Sequence, residues 1–261
     1  MIHSTRVFFM GIKVALASRM AYRGDFIIRL IMMLIGDLLF PVITLLIYRA
    51  GASFPGWTLY EALLIQGVFM IAKGVSFPFF YGMVYNILDK VREGTFDLML
   101  IKPCSILFYS VVSSFNIEYI GSLFGGTALL IYALLNIKID ISLISWLNFI
   151  ILFGFSILVL LSFTLIMSGS LFKWVGNSRV YEIFSSISTF GLYPNTIYSK
   201  AFQNLISYII PISMIAFYPA AALLNRIGIN VMYSIIVCLL FFLLSRSFWY
   251  MMLKKYTSAG G

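Results

Sequence analysis

Few residues in this chain have side chains that could act in catalysis or hold a metal. The single histidine is His3, and the two cysteines, Cys104 and Cys238, lie far apart without metal-binding spacing. The sequence therefore hardly supplies the residues for a Ser-His-Asp triad, a histidine-liganded metal or a histidine proton relay. We expect neither a catalytic residue nor a metal site.

The remaining chemistry lies in a few charged residues within apolar segments. Asp37 and Lys73 each occur midway along a predicted membrane helix. With a rise of about 1.5 Å per residue, they would lie roughly 15 and 20 Å from the outer ends of those helices. Because an unpaired charge in lipid is costly, we expect an ion pair that neutralises both. The alternative is a substrate or proton site that faces a cavity.

Glu118 lies deep in the third predicted crossing, within the stretch NIEYIGSLFGG. Two interpretations stay open for this residue. It is either a protonated glutamate packed between helices or a contact for a cationic substrate on the transport path. The nearby glycines, Gly121, Gly125 and Gly126, permit close approach of another helix, so this segment is also a predicted packing seam.

The elements that position these charges are membrane helices. Hydrophobic residues make up 62% of the 261 residues, whereas soluble domains average roughly 45–50%. A chain this apolar has the lipid bilayer as its solvent. Its net charge of +9 is not concentrated on one face or tail, which argues against nucleic acid as a partner. No linker or internal repeat divides the chain, so residues 1–261 form one predicted domain.

We predict an all-α integral membrane protein with six transmembrane helices. About 20 residues cross the ~30 Å hydrocarbon core. The apolar segments lie at about 26–48, 60–87, 105–135, 142–172, 180–215 and 231–252. Glycine and prolines interrupt the fifth segment, so we expect a crossing from about 178 to 192 and then a re-entrant helical region. An amphipathic interfacial helix is expected at about 5–24.

The lysine and arginine residues set the predicted orientation. With a cytoplasmic N-terminus, thirteen of the 18 Lys and Arg residues lie on or near the inner side, as the positive-inside rule requires. The residues left outside are Arg49, Lys138, Lys200 and Arg226. Both termini are then cytoplasmic, and so are the loops at 88–104 and 173–179.

The 88–104 loop carries a compact group of charges in the stretch DKVREGTFDLMLIKP (89–103). Gly94 would let the chain turn sharply, and Pro103 would begin the next helix. By charge alone, this stretch is an ordinary solvated cytoplasmic loop. Its acidic residues, on an otherwise basic side of the membrane, favour a contact with another protein.

The pattern REG-x-x-D-x-x-L-x-x-P at 92–103 resembles the loop after the second helix of type-2 ABC-transporter permeases. The order of elements matches as well, from an amphipathic start with YRGDF (22–26) to a broken region before the last crossing. The segments at 193–220 and 254–261 resemble one bacterial branch of this class. Members of that branch pair two different permeases with a separate ATPase.

This resemblance implies a transport subunit and not an enzyme. The sequence has no Gly-x-x-x-x-Gly-Lys-Ser/Thr phosphate loop, so ATP and magnesium would bind to the partner ATPase and no cofactor to this chain directly. The 88–104 segment would be a coupling helix in a groove of that ATPase. Its expected contacts are Arg92, Glu93, Gly94, Phe96, Asp97 and Leu98. A second expected contact comprises Lys173, Asn177 and Arg179.

The resemblance further implies an ATP-driven exporter in the bacterial inner membrane, with a second, non-identical permease subunit as its partner. The aromatic-rich composition and the few buried charges favour a substrate that is hydrophobic, amphipathic or cationic, on a path between the first, second and fifth crossings. Two rival functions come from other classes. An ion-coupled secondary transporter acts without an ATPase but needs positioned acids and usually an internal repeat. A membrane enzyme of lipid metabolism needs a polar catalytic cluster.

Overall fold

The computed structural model describes residues 8–14, 16–17, 23–174 and 179–257. Every regular element within these ranges is a helix, which confirms the predicted all-α membrane class. Residues 8–14 and 16–17 of the predicted interfacial helix are helical. His3 and the rest of that segment before residue 23 lie outside the described residues.

Long and short helices alternate along the chain. The long ones are α1 (Arg23–Arg49), α2 (Leu59–Arg92), α5 (Ile120–Asn136), α6 (Leu143–Leu171) and α10 (Asn230–Leu253). The short ones are α3 (Asp97–Leu100), α4 (Ile106–Ser113), α7 (Arg179–Ser188), α8 (Lys200–Tyr208) and α9 (Phe217–Leu223). Single 3₁₀ turns occur at Ile117–Tyr119, Thr189–Leu192, Asn195–Ile197 and Ile212–Met214.

Five helices in the described ranges are long and apolar enough to cross a membrane: α1, α2, α5 with the 3₁₀ turn before it, α6 and α10. The sequence predicts six. The expected fifth crossing at 178–192 is instead the 10-residue α7 and a 3₁₀ turn. The following Pro194 cannot continue a helix because it has no backbone N–H. At about 1.5 Å per residue, α7 alone is too short for the ~30 Å core.

The third predicted crossing, at 105–135, is two helices and not one. Between α4 and α5 the chain bends at Asn116, whose backbone N–H donates to the Pro78 carbonyl of α2 at 2.7 Å. The Asn116 side chain accepts a hydrogen bond from the Glu118 N–H at 3.0 Å and so caps the 3₁₀ turn. Glu118 therefore lies in the 3₁₀ turn that precedes α5.

Helix α2 is the most buried of the five long helices, and it packs most extensively against α5. Glycines on both helices allow the two backbones to approach. A Cβ at Gly74 of α2 would lie 2.3 Å from the Leu123 backbone nitrogen of α5. A Cβ at Gly126 of α5 would lie 2.7 Å from the Ile71 backbone nitrogen of α2. These contacts confirm the predicted seam at Gly126.

Helix α1 is the least buried of the five and packs on both α2 and α5. The other two glycines of the predicted seam face it. A Cβ at Gly121 would meet the Leu30 carbonyl at 3.1 Å, and one at Gly125 would meet the Leu34 side chain at 2.5 Å. The α1–α2–α5 group therefore encloses the positions of Asp37 and Lys73.

The chain between α7 and α10 corresponds to the predicted re-entrant region. From 211 to 224 every residue except Phe217 is buried. Irregular backbone in such a place needs hydrogen-bond partners from the protein. The Ser156 hydroxyl of α6 donates to the Met214 carbonyl at 2.8 Å and supplies one of them. Helix α9 packs here against α6 and α2.

Candidate substrate cavity and coupling surface

Asp37 of α1 and Lys73 of α2 form an ion pair inside the helical bundle. The second carboxylate oxygen of Asp37 accepts a hydrogen bond from the Ser122 hydroxyl of α5. The Lys73 ammonium also lies 5.7 Å from the centre of the Phe77 ring, within the range of a cation–π contact. The structure thus brings the predicted pair together, and one carboxylate links α1, α2 and α5.

The same ion pair lies in the wall of a cavity of about 410 Å³. The side chains of Asp37 and Lys73 keep 11% and 23% of their exposure. Apolar and aromatic residues of α1 and α2 form most of the remaining wall: Met33, Phe40, Phe69, Met70, Phe77 and Tyr81. The two interpretations of the sequence, a structural pair and a cavity-facing site, therefore describe the same location.

An aromatic surface continues from the ion pair along the cavity. The ring centroids of Phe77 and Tyr81 are 5.3 Å apart, and Tyr119 lies 5.4 Å from Phe77 and 4.9 Å from Tyr81. Ser185, Ser188 and Thr189 close the opposite side from α7 and its 3₁₀ turn. A mostly apolar pocket with a few converging polar groups is typical of small-molecule sites.

Glu118 is buried but does not contribute to the lining of this cavity. Its carboxylate Oε1 lies 3.9 Å from the Arg29 Nε of α1. The same nitrogen donates to Asp25 at 2.8 Å, one turn earlier. Glu118 thus faces a cation of its own chain, an arrangement that neither interpretation of the sequence included.

Helix α2 ends in a tight turn at Gly94, which has a φ of +68°. The Thr95 N–H donates to the Lys90 carbonyl at 2.9 Å, and the Gly94 N–H donates to the Val91 carbonyl at 3.4 Å. This bond pattern is the Schellman ending of a helix, for which glycine is favoured because it tolerates positive φ. The sharp turn that the sequence predicts at Gly94 is present.

Phe96 follows this turn and is 0% exposed. Its ring centroid lies 5.0 Å from those of Phe172, after α6, and Tyr256, after α10. Met99 of α3 is buried beside it. The prediction that Phe96 contacts a partner is therefore wrong, because this ring is a core residue that fixes α3 to the bundle.

The opposite face of α3 and of the turn after it is exposed. Leu98 is 59% exposed and Ile101 is 77% exposed. We call these residues, with their exposed neighbours, the coupling surface, after the ATPase contact that the sequence predicts here: Arg92, Glu93, Leu98, Leu100 and Ile101. Gly94 and Asp97, also predicted as contacts, are half-buried. Of the two apolar contacts that the sequence suggested, Phe96 and Leu98, only Leu98 is exposed, and Leu100 and Ile101 are exposed beside it.

Pro103 does not begin the next helix, contrary to the sequence prediction. Helix α4 begins at Ile106, and its N-cap is Ser105, whose hydroxyl accepts from the Phe108 N–H at 3.4 Å. Serine is a favoured N-cap because its oxygen satisfies a backbone donor that the helix leaves unpaired. Pro103 lies in the exposed turn before this cap.

The second predicted contact is described only in part. Lys173 is exposed, and its ammonium lies 5.2 Å from the centre of the Trp174 ring. Asn177 lies outside the described residues. Arg179 begins α7, but its side chain also falls outside them.

A polar cluster at the other end of α2 was not suggested by the sequence. Glu61 accepts from the Thr58 N–H at 2.8 Å and so completes a capping box at the start of α2. Its other oxygen lies 2.7 Å from Arg226 Nη2, and the Arg226 guanidinium lies 5.1 Å from the Trp57 ring. Nothing in either segment indicates this pairing, because the two partners lie far apart in the sequence.

A family profile described as ABC-2 family transporter protein matches residues 30–260. No match was found among curated proteins or among solved structures. The matched range includes the cavity, the Gly94 turn, the coupling surface and the re-entrant region, and it confirms the predicted resemblance to type-2 ABC-transporter permeases. The chain therefore belongs to the ABC-2 transporter family, as a membrane-spanning permease subunit.

Proposed function

We propose that the chain is the membrane subunit of an ATP-driven exporter. ATP and magnesium bind to a separate ATPase subunit, and a second, non-identical permease completes the path. The substrate is hydrophobic, amphipathic or cationic and leaves the bacterial cytoplasm by alternating access. The protein lies in the bacterial inner membrane, with both termini and the coupling surface on the cytoplasmic side. The family membership of residues 30–260 is the basis for a transport role.

The coupling surface is the observation that carries the ATPase contact. Helix α3 is held by the Gly94 turn on one side and by the buried Phe96 ring on the other. Exposed apolar residues beside charged ones on a polar side of a protein are typical of a protein interface. Because α3 is fixed to the ends of α6 and α10, an ATPase that moves this surface would move those helices.

The cavity at the Asp37–Lys73 pair supports the transport role. Its volume of about 410 Å³ falls within the roughly 300–1,000 Å³ of small-molecule sites. It lies among the first and second crossings, the start of the third and α7, close to the path that the sequence suggests. A transported molecule would contact mostly apolar side chains there.

The ion-coupled transporter remains the alternative function. It would need a carboxylate that takes up and releases a coupling ion. Asp37 is the acid in the described cavity lining, and both of its oxygens are already bonded, to Lys73 and to Ser122. This geometry favours a subunit that receives its energy from an ATPase.

Purification of the tagged protein from its native membrane in mild detergent tests the proposal. We expect an ATPase subunit with a phosphate loop to co-purify and transport to be sensitive to vanadate. Glu93→Lys on the coupling surface should lower co-purification at least fivefold. Asp140→Lys, in the exposed loop between α5 and α6, is the matched control and should leave it unchanged. Absence of any ATPase together with vanadate-insensitive transport would overturn the proposal.

A further inference from the structure

We propose that the cavity at Lys73 selects a ligand whose head group offers hydrogen-bond acceptors, and disfavours a cationic head group. The ligand class is an amphiphile with an apolar tail and a carboxylate, ester or similar accepting head. This inference rests on the proposed transport function and narrows its substrate class. The evidence for it is the set of ion pairs and hydrogen bonds that the charged residues in and near the cavity make within the chain.

The two acids that would suit a cationic ligand each face a cation of the chain. The Asp37 carboxylate bonds to Lys73 and to Ser122. Glu118 faces Arg29 and lies outside the cavity lining. A cationic head group at Asp37 would therefore have to displace Lys73 or accept its repulsion. No other acidic side chain occurs in the described lining.

Lys73, in contrast, keeps donor capacity towards the cavity. An ammonium group has three N–H donors and no acceptor. Among the described residues, its hydrogen bond goes to Asp37, and its remaining contact is the Phe77 ring. Since unsatisfied buried donors are costly, an accepting atom of a ligand stabilises this group when it replaces water.

Two of the three hydroxyl groups on the opposite wall already donate a hydrogen bond within the chain. The Ser188 hydroxyl donates to the Ser185 carbonyl at 2.7 Å, and the Thr189 hydroxyl donates to the Ser186 carbonyl at 2.6 Å. Lys73 is therefore the charged donor of the described lining. It sits where the aromatic surface begins, so a head group at Lys73 would place its tail against rings.

The apolar part of the wall suits a flexible tail. Met33 and Met70 are unbranched and adapt to irregular shapes. Phe40 and Phe69 add wide apolar faces next to the ion pair. The lining thus combines one cationic hydrogen-bond donor with an adaptable apolar surface. An amphiphile with a hydrogen-bond-accepting head group and an apolar tail matches both parts.

Three photoreactive probes with one shared diazirine tail test the inference on the unaltered complex in nanodiscs. Their heads are a carboxylate, a methyl ester and a trimethylammonium. Labelling of cavity residues is divided by labelling of Leu240 and Leu244 on the exposed face of α10, which corrects for partition into lipid. We expect the carboxylate and the ester to label the cavity at least fivefold more than the trimethylammonium. Equal or stronger labelling by the trimethylammonium overturns the inference.

Variants of the ion pair provide a second test. Asp37→Asn with Lys73→Gln removes both charges and keeps groups that can bond to each other, and it should lower carboxylate labelling at least fivefold. Lys73→Arg keeps a cationic donor and should retain the labelling. Unchanged labelling in the double variant contradicts the inference. If that variant does not fold, the three-probe comparison on the unaltered protein still decides.

The same preparations separate this inference from the proposed function. An ATPase that co-purifies while the cavity shows no head-group preference refutes the inference alone. A clear preference in a protein that binds no ATPase and transports without vanadate sensitivity refutes the proposed function alone.

Discussion

The Phe96 and Phe172 rings lie 5.0 Å apart, centre to centre, and join the turn after α2 to the end of α6. Phe172 in turn lies 5.7 Å from the buried Trp249 of α10. Aromatic contacts of this kind are worth about 0.5–1.5 kcal/mol beyond the area they bury. The α3 helix is therefore anchored to the ends of α6 and α10 by a continuous cluster of aromatic rings.

Replacing Phe96 with alanine should destabilise the protein. Loss of a fully buried phenylalanine lowers the free energy of unfolding by about 3–5 kcal/mol. Leu98→Ala, two residues away on the exposed face, should change it by less than about 0.5 kcal/mol but weaken ATPase co-purification. Thermal unfolding in detergent distinguishes the two. Equal destabilisation by both changes would contradict the assigned faces of α3.

Gly74→Ala should disrupt the contact between α2 and α5. The added Cβ would lie 2.3 Å from a backbone nitrogen, which cannot move aside as a side chain does. Overpacking of this kind costs about 1–3 kcal/mol. Gly154→Ala in α6 is the control, since no atom lies within 4 Å of its Cβ position. The yield of monodisperse protein on size exclusion compares them, and similar yields would refute the seam.

Asp37→Ala and Lys73→Ala should each lower the yield of folded protein, because each leaves one buried charge without its partner. Their loss in stability is on the order of 2 kcal/mol, less than for a fully buried pair. The double variant should recover most of that loss. A double-mutant cycle of unfolding midpoints measures the coupling. Additive losses would show that the two charges do not depend on each other.

Glu61→Gln should cost less than Glu61→Ala. Glutamine keeps an acceptor for the Thr58 N–H but loses the charge that pairs with Arg226. We expect losses of about 1 kcal/mol for glutamine and about 2 kcal/mol for alanine. Arg226→Met should cost more than Glu61→Gln, because it leaves the buried Glu61 carboxylate without its cation. Lys200→Met, which removes an exposed cation, should have little effect. Unfolding midpoints that do not differ among these variants would exclude a role for the pair.

The features that could be predicted from the sequence depend on local pattern. Apolar length predicts the long helices, and glycine at the end of α2 predicts the positive φ at Gly94. The pairing of Asp37 with Lys73 followed from their similar depths in neighbouring helices and from the cost of burying either charge alone.

The features that could not be predicted depend on distant contacts. A helix of four residues has no periodicity that tells Phe96 from Leu98, so the buried face of α3 is set by rings at the ends of α6 and α10. The bend at Asn116 occurs without proline or glycine, because its N–H bonds to Pro78 on another helix. The cation that Glu118 faces, Arg29, lies on another helix, α1.

The close approach of α2 and α5 has a mechanical consequence. At Gly74 and Gly126 backbone meets backbone, with no flexible side chain between the helices to absorb a displacement. We therefore expect α2 and α5 to move together as one rigid unit. Any widening of the cavity then has to come from movement of α1 and α7, the lining helices that do not belong to this rigid unit.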